Sequence, residues 1–206
     1  MTDFTPTDFR DMRFVLSAPN PRAFPAPEGP ELAFAGRSNA GKSSAINAIC
    51  DRVGLARTSK TPGRTQAINF FASGSWRFAD LPGYGFARVP PATRAAWQAL
   101  IEGYLSRRDT VAGVVLVMDA RRPLTAFDRQ LLDWGTEFGL SFHLVLTKAD
   151  KLSRNQQVNT LREVARAVDG PSMQLFSASK RQGIDEARAA IAALLGARQP
   201  TEPKAD

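Results

Sequence analysis

The sequence predicts an α/β fold in which a mostly parallel, six-stranded sheet carries helices on both faces. Residues 113–118 (GVVLVM) and 142–146 (FHLVL) are continuous apolar runs, as expected for strands buried on both sides of a parallel sheet. Such runs alternate along the chain with stretches of helical character, the order of βαβ units. With 206 residues the chain can bury one full core and is short for two.

Taken in order, residues 1–30 hold Pro6, Pro19, Pro21, Pro25, Pro27 and Pro30, a density that rules out a continuous helix. This region reads as an arm packed on the domain, with Phe14-Val15-Leu16-Ser17 as a short edge strand. Residues 32–35 form the next apolar run, ending at Gly36. Residues 67–72 and 76–79 flank Ser73-Gly74-Ser75, a hairpin signal. Residues 173–176 supply the last strand, and helices are expected over 42–50, 92–107, 126–138, 156–168 and 184–195. The main domain then covers 31–197, and 198–206 reads as a flexible tail.

Composition is that of a globular protein, 43% hydrophobic and 23% charged. No apolar stretch is long enough to span a bilayer, and the first 30 residues, with Asp3, Asp8 and Asp11, do not resemble a secretory signal. The single cysteine, Cys50, excludes an internal disulfide, fits a reducing cytoplasmic compartment, and reads as a small buried hydrophobe. One cysteine and one histidine leave zinc implausible, and His143, within an apolar strand, reads as a packed side chain. Net charge is +7, the isoelectric point is about 10.2, and 21 of the 27 basic residues are arginine. Arginine suits phosphate through its planar fork, so nucleic acid or an anionic surface is one reading; solubility charge is the other.

Residues Gly36-Arg37-Ser38-Asn39-Ala40-Gly41-Lys42-Ser43 read G-x-x-x-x-G-K-S, after an expected strand and before an expected helix. Chance makes this pattern in roughly 1% of chains of this length. Its glycines let the backbone wrap phosphate oxygens, while backbone amides and the helix N-terminus supply positive potential. Lys42 would reach the β- and γ-phosphates and Ser43 would ligate Mg²⁺. The motif predicts a P-loop NTPase fold.

Thr147-Lys148-Ala149-Asp150 follows an apolar strand. In GTPases the common form is N-K-x-D, whose aspartate accepts two hydrogen bonds from guanine; adenine cannot donate both, and a buried carboxylate would go unpaired. Ser177-Ala178-Ser179 again follows a strand, and the Ala178 amide would meet the guanine O6. Asp80-Leu81-Pro82-Gly83 fits D-x-x-G, with Asp80 near Mg²⁺ through water and the Gly83 amide on the γ-phosphate. Thr65, in Thr61-Pro62-Gly63-Arg64-Thr65-Gln66, would complete the Mg²⁺ shell when GTP is present. Four such elements in this order make a Ras-like GTPase fold the reading.

The segments GRSNAGKSS, TPGRTQ, DLPGYGFARV, TKAD and SAS, with Phe14-Val15-x-Ser17-Ala18 in the arm, resemble the EngB family of bacterial GTPases. TKAD, odd among GTPases in general, is the usual form there. The resemblance implies a cytoplasmic factor in assembly of the large ribosomal subunit, tied to normal cell division and septation, that binds GDP and GTP with Mg²⁺. By motif it implies nucleotide contacts at Gly36, Arg37, Ser38, Asn39, Ala40, Gly41, Lys42, Ser43, Gly63, Arg64, Thr65, Gln66, Ala67, Asp80, Leu81, Pro82, Gly83, Thr147, Lys148, Ala149, Asp150, Phe176, Ser177 and Ala178. The Mg²⁺ ligands would be Ser43 and Thr65.

Tyr84 stands where Ras-type GTPases carry the glutamine that orients the attacking water, so slow intrinsic hydrolysis is expected, with Asn39, Lys42, Thr65, Asp80 and Gly83 as the acting groups. Acceleration could come from K⁺ bound beside Asn39, from Arg64 or Arg88, or from the ribosomal particle. The pairs Arg107-Arg108 and Arg121-Arg122, and the basic and aromatic stretch from Phe86 to Trp97, are candidate rRNA contacts, whereas Trp97, Leu100, Ile101 and Tyr104 have the spacing of a buried helical stripe. No heptad pattern suggests a dimer, so a monomer without a membrane partner is expected. The alternative is a nucleotide-dependent binding module that regulates the division machinery, with incidental hydrolysis. A tRNA-directed GTPase is disfavoured because no second domain is available.

Overall fold

A computed structural model describes residues 6–57, 67–85 and 90–197. Among them seven strands form one sheet: β1 (Arg13–Ala18), β2 (Glu31–Gly36), β3 (Ile68–Ser73), β4 (Trp76–Asp80), β5 (Val111–Asp119), β6 (Phe142–Thr147) and β7 (Ser172–Leu175). The order across the sheet is β1-β3-β4-β2-β5-β6-β7. The expected sheet of six strands is corrected to seven, because the arm strand β1 is hydrogen-bonded antiparallel to β3 within the same sheet. β3 and β4 form the expected antiparallel hairpin, and β4, β2, β5, β6 and β7 run parallel.

The helices are α1 (Lys42–Ile49), α2 (Pro91–Arg107), α3 (Ala126–Glu137), α4 (Arg154–Ala167) and α5 (Ile184–Ala197). Strand side chains alternate between two cores, as period-2 geometry requires. Val114, Leu116 and Met118 of β5 face the core beneath α2, α3 and α4, and Val115 and Val117 face the core shared with α1 and α5. Burial on both faces is why β2 and β6 read as unbroken apolar runs. Trp97, Leu100, Ile101 and Tyr104 are the buried stripe of α2.

Helix starts follow local chemistry. α3 opens with a capping box between Thr125 and Asp128, and α4 with one between Ser153 and Gln156. The Ser153 cap places the start of α4 two residues before the expected position, at Arg154.

The arm is fastened by its own apolar residues. Phe9 and Met12 are fully buried, and the Phe9 ring stands edge-on to Trp76 at 5.4 Å. Arg52 donates to the Met12 carbonyl at 2.8 Å. Cys50 is buried and its thiol is pushed up to about 12 by burial, so it stays protonated and inert.

His143 is buried on β6, with Nδ1 2.8 Å from the Ser172 hydroxyl and Nε2 2.9 Å from the Gln174 amide oxygen. This suits a neutral ring, one nitrogen accepting and the other donating. Burial lowers its pKa, and the bond to Gln174 only partly opposes that. As pH falls below about 6.5, the unfolded chain binds a proton that the folded chain resists. His143 is the only histidine. The thermal midpoint should therefore fall between about pH 7.5 and about pH 5.5, and His143→Gln should flatten that slope. Equal slopes in the two proteins would show that this ring is not the titrating group.

Candidate functional site

In open α/β sheets, ligands bind outside the carboxyl ends of the strands. β2, β4, β5 and β6 end at Gly36, Asp80, Asp119 and Thr147, all on one edge. The sequence motifs within the described residues emerge from these ends or just beyond β7.

The chain leaves β2 at Gly36, turns through left-handed backbone at Asn39 and Gly41 (φ 63° and 97°), and enters α1. A β-carbon at Gly36 would lie 2.4 Å from the Val117 carbonyl oxygen. The first glycine of the motif is thus imposed by β5 running alongside, where the sequence suggests a phosphate; the second is demanded by its turn. No side chain caps α1, and among the described residues the amides of Gly41, Lys42 and Ser43 have no acceptor. An uncapped helix start of this kind is a seat for an anion. Lys42 and Asp80 form a largely buried ion pair across the site, with side chains 10% and 8% exposed. The Ser43 hydroxyl is only loosely engaged, 3.4 Å from the Arg57 carbonyl.

The back of the loop is fastened by the segment after β6. The Thr147 hydroxyl lies against the Ala40 carbonyl and 3.0 Å from that of Met118, donating to one at a time. Lys148, itself in the left-handed region, donates from Nζ to the Asn39 carbonyl at 2.6 Å and to Asp119 Oδ2 at 2.9 Å. Burial alone would raise the Asp119 carboxyl; bonds from Arg121 and Lys148 outweigh it and hold the group well below the usual carboxylate range.

Asp150 sits on a 3₁₀ turn, Ala149–Lys151, and its Oδ1 accepts from the Ser177 hydroxyl at 2.6 Å. That bond holds its carboxyl below the ordinary value. Ser177 is fully buried, and its oxygen also accepts the Lys180 amide at 3.2 Å. Asp150, Ser177 and Ala178 are thus brought beside Lys148. Phe176 is packed in the core: its ring is fully buried, its amide donates to Leu146 and its carbonyl accepts from Ala149. Ala40, Leu81, Pro82 and Ala149 are likewise buried, so they offer backbone alone.

Beyond β4, Gly83 is half-buried and the Ser38 amide donates to the Tyr84 carbonyl at 2.7 Å, joining the Asp80–Gly83 turn to the phosphate loop. Tyr84 is buried, its hydroxyl donating to Asp128 Oδ1 and its ring 4.2 Å from Phe127. Asp128 Oδ2 accepts the amide and the hydroxyl of Thr125, each at 2.7 Å. Burial, then the Asp128 charge, push the phenol well above its usual pKa, so it is neutral. Sequence reasoning missed Asp119, Thr125 and Asp128. T-x-x-D before a helix was a legible capping signal for the last two; nothing marked Asp119 as the partner of Lys148. Gly63, Arg64, Thr65, Gln66 and Arg88 lie outside the described residues, and Ala67 is half-buried at the start of β3.

Comparison with known proteins bears on this geometry. Residues 31–148 match the family described as 50S ribosome-binding GTPase. The probable GTP-binding protein EngB of Aromatoleum aromaticum is 52% identical over 193 residues, covering 91% of this chain and 89% of that protein. Its counterpart in Methylobacillus flagellatus is 50% identical over 202 residues, covering 96% and 98%. A crystal structure of a probable GTP-binding protein EngB shares the fold, with a TM-score of 0.69 over 82% of this chain and 100% of that one, at 22% identity.

Thr147→Val keeps the shape of the side chain and removes its proton. It should lower unfolding free energy by about 1–3 kcal/mol in a urea titration, because a buried carbonyl loses its donor. An unchanged midpoint would mean that another group holds the loop.

Proposed function

This chain belongs to the EngB family of GTP-binding proteins, and on that premise we propose that it is a GTP-gated factor in assembly of the large ribosomal subunit, with slow Mg²⁺-dependent hydrolysis. The observation that carries the proposal is the uncapped start of α1, with amides that have no acceptor among the described residues beside the Lys42–Asp80 pair, and a carboxylate suited to guanine on the same edge. The matching family's description as ribosome-binding supports a ribosomal partner. Normal cell division and septation would depend on the protein through ribosome supply.

Each residue has a derivable task. The amides of Gly41, Lys42 and Ser43 take phosphate oxygens, and Lys42 exchanges its hold on Asp80 for the β- and γ-phosphates. Asp150 accepts from guanine while Ser177 keeps it ionised and oriented. Lys148 cannot swing freely, because both of its bonds tie it to the phosphate loop and β5, so its stem gives the base a fixed surface. The residues suit magnesium carried in with the nucleotide: Ser43, whose hydroxyl is loosely engaged, and Thr65 would hold it, with Asp80 reached through water. When bound, the ion neutralises charge on the phosphates. Tyr84 is closed on Asp128 and neutral, so it neither orients water nor accepts its proton, and intrinsic turnover is slow. Asn39 is exposed in the phosphate loop, where K⁺ could compensate.

Three measurements test this. Asp150→Asn presents a donor where guanine needs an acceptor, and should weaken GDP binding at least about tenfold by titration, or about 1.4 kcal/mol; equal affinity would remove Asp150 from the base site. GTPase rates should be higher in KCl than in equal NaCl, with the difference lost in Asn39→Ala; identical rates remove the cation. Co-sedimentation with purified large subunits should occur in a non-hydrolysable GTP analogue and not in GDP. Absence of pelleting in both states would move the reading to a regulator of the division machinery.

A further inference from the structure

The basic pairs visible in the sequence are not equivalent in the fold. Arg108 closes its fork on Glu31, with Nε at 2.8 Å from one carboxylate oxygen and Nη2 at 2.6 Å from the other. It also donates to the Pro25 carbonyl at 2.8 Å, and its side chain is only 10% exposed. That arginine is structural and is removed from the candidate RNA contacts. Arg121 and Arg122 lie instead just past the end of β5, on the edge that carries the phosphate loop.

There a cleft of about 430 Å³ opens against the loop residues Ser38 and Asn39. Arg37, Arg121, Arg122 and Lys148 line it, against Asp119 and Asp128, so four cations face two carboxylates, a net +2. Both carboxylates are already engaged, Asp119 by Arg121 and Lys148 and Asp128 by Tyr84 and Thr125. Among the described residues no carboxylate pairs with Arg37 or Arg122, and both are exposed. Arg37 also lies along the loop beyond Gly83: a β-carbon built on Gly85 would be 2.9 Å from its Cγ.

We propose that this cleft is where the phosphodiester backbone of RNA docks, and that its grip depends on the bound nucleotide because one wall is the phosphate loop itself, whose Arg37 packs beside Gly85. The inference rests on the ribosomal reading above and adds the place and chemistry of the contact. Unpaired arginine forks match phosphate oxygens bidentately. The chain's arginine-rich balance, 21 of 27 basic residues, favours phosphate over a carboxylate-bearing peptide. A partner seated here would press on Arg37, and through it on the segment that changes with the γ-phosphate.

The test compares Arg122→Ala with Arg107→Ala. The second removes the same charge from an exposed site at the opposite end of β5, roughly 30 Å away for a nine-residue strand. Binding of protein-free large-subunit rRNA is measured in a GTP analogue from about 50 to about 200 mM salt, alongside GDP affinity. Arg122→Ala should lower the slope of log K against log salt by about one, with Arg107→Ala matching wild type and GDP affinity unchanged in both. A wild-type slope for Arg122→Ala overturns the inference while leaving the ribosomal reading intact. Weakened binding to whole subunits with unchanged binding to naked rRNA also overturns it, and assigns the cleft to a ribosomal protein. Failure of the unaltered protein to bind either target takes the ribosomal reading down as well.

Discussion

The structure depends on a one-sided satisfaction of the phosphate loop's backbone. Irregular backbone is tolerable in a half-buried position only if its polar groups are paired. Here the carbonyls of Asn39 and Ala40 are taken from behind by Lys148 and Thr147, while the amides at the start of α1 find no acceptor among the described residues. The loop therefore presents donors on the side that faces Lys42, whose charge offsets that of Asp80. This polarity is inherited from the sheet. β5 and β6 pair so that Asp119 stands opposite Thr147, and the Ala120 amide closes on the Thr147 carbonyl at 2.9 Å. The register of two core strands thus fixes where the hydroxyl and the ammonium arrive.

What could be read in the sequence follows from which interactions are local. The buried strands announced themselves because burial on two faces leaves an unbroken apolar run, and the motifs because each spans a few neighbouring residues. β1 was hard to count with the sheet because an edge strand half open to solvent carries no such run; its pattern is mostly exposed down to Ala18. The role of Gly36 was hidden for a different reason: the atom that excludes a side chain belongs to Val117, some eighty residues away. Thr147 was legible as a departure from the commoner asparagine, yet its task required knowing which carbonyls lie within reach. A hydroxyl with one proton suffices, since Ala40 and Met118 are both adjacent.

Tyr84 illustrates the same limit with more consequence. From sequence it is a missing glutamine. In the fold it is a joint, its carbonyl receiving the Ser38 amide and its hydroxyl reaching the carboxylate that caps α3. The same residue thus ties the turn after β4 both to the phosphate loop and to the start of α3, whose first turn relies on the same Asp128. A glutamine here would keep the backbone bond to Ser38, but one whose side chain turned to water would give up the bond to Asp128, so the two tasks compete for one side chain.

Charge is divided between the two edges of the sheet by whether it is closed. At the edge where β2 begins, Glu31 is fully buried and satisfied by Tyr104 at 2.9 Å and by the fork of Arg108, with Arg77 nearby. Such a cluster is self-contained: removing one member leaves a buried charge exposed to nothing, and adding a ligand gives no new partner. At the opposite edge the carboxylates are also engaged, but by only two of the four cations lining the cleft, and a residue of positive potential remains beside the loop. Net charge counted over the whole chain cannot distinguish the two cases. The distinction comes from burial, which forces neutral clusters where water is absent and permits an imbalance only where a partner, ion or solvent can reach it.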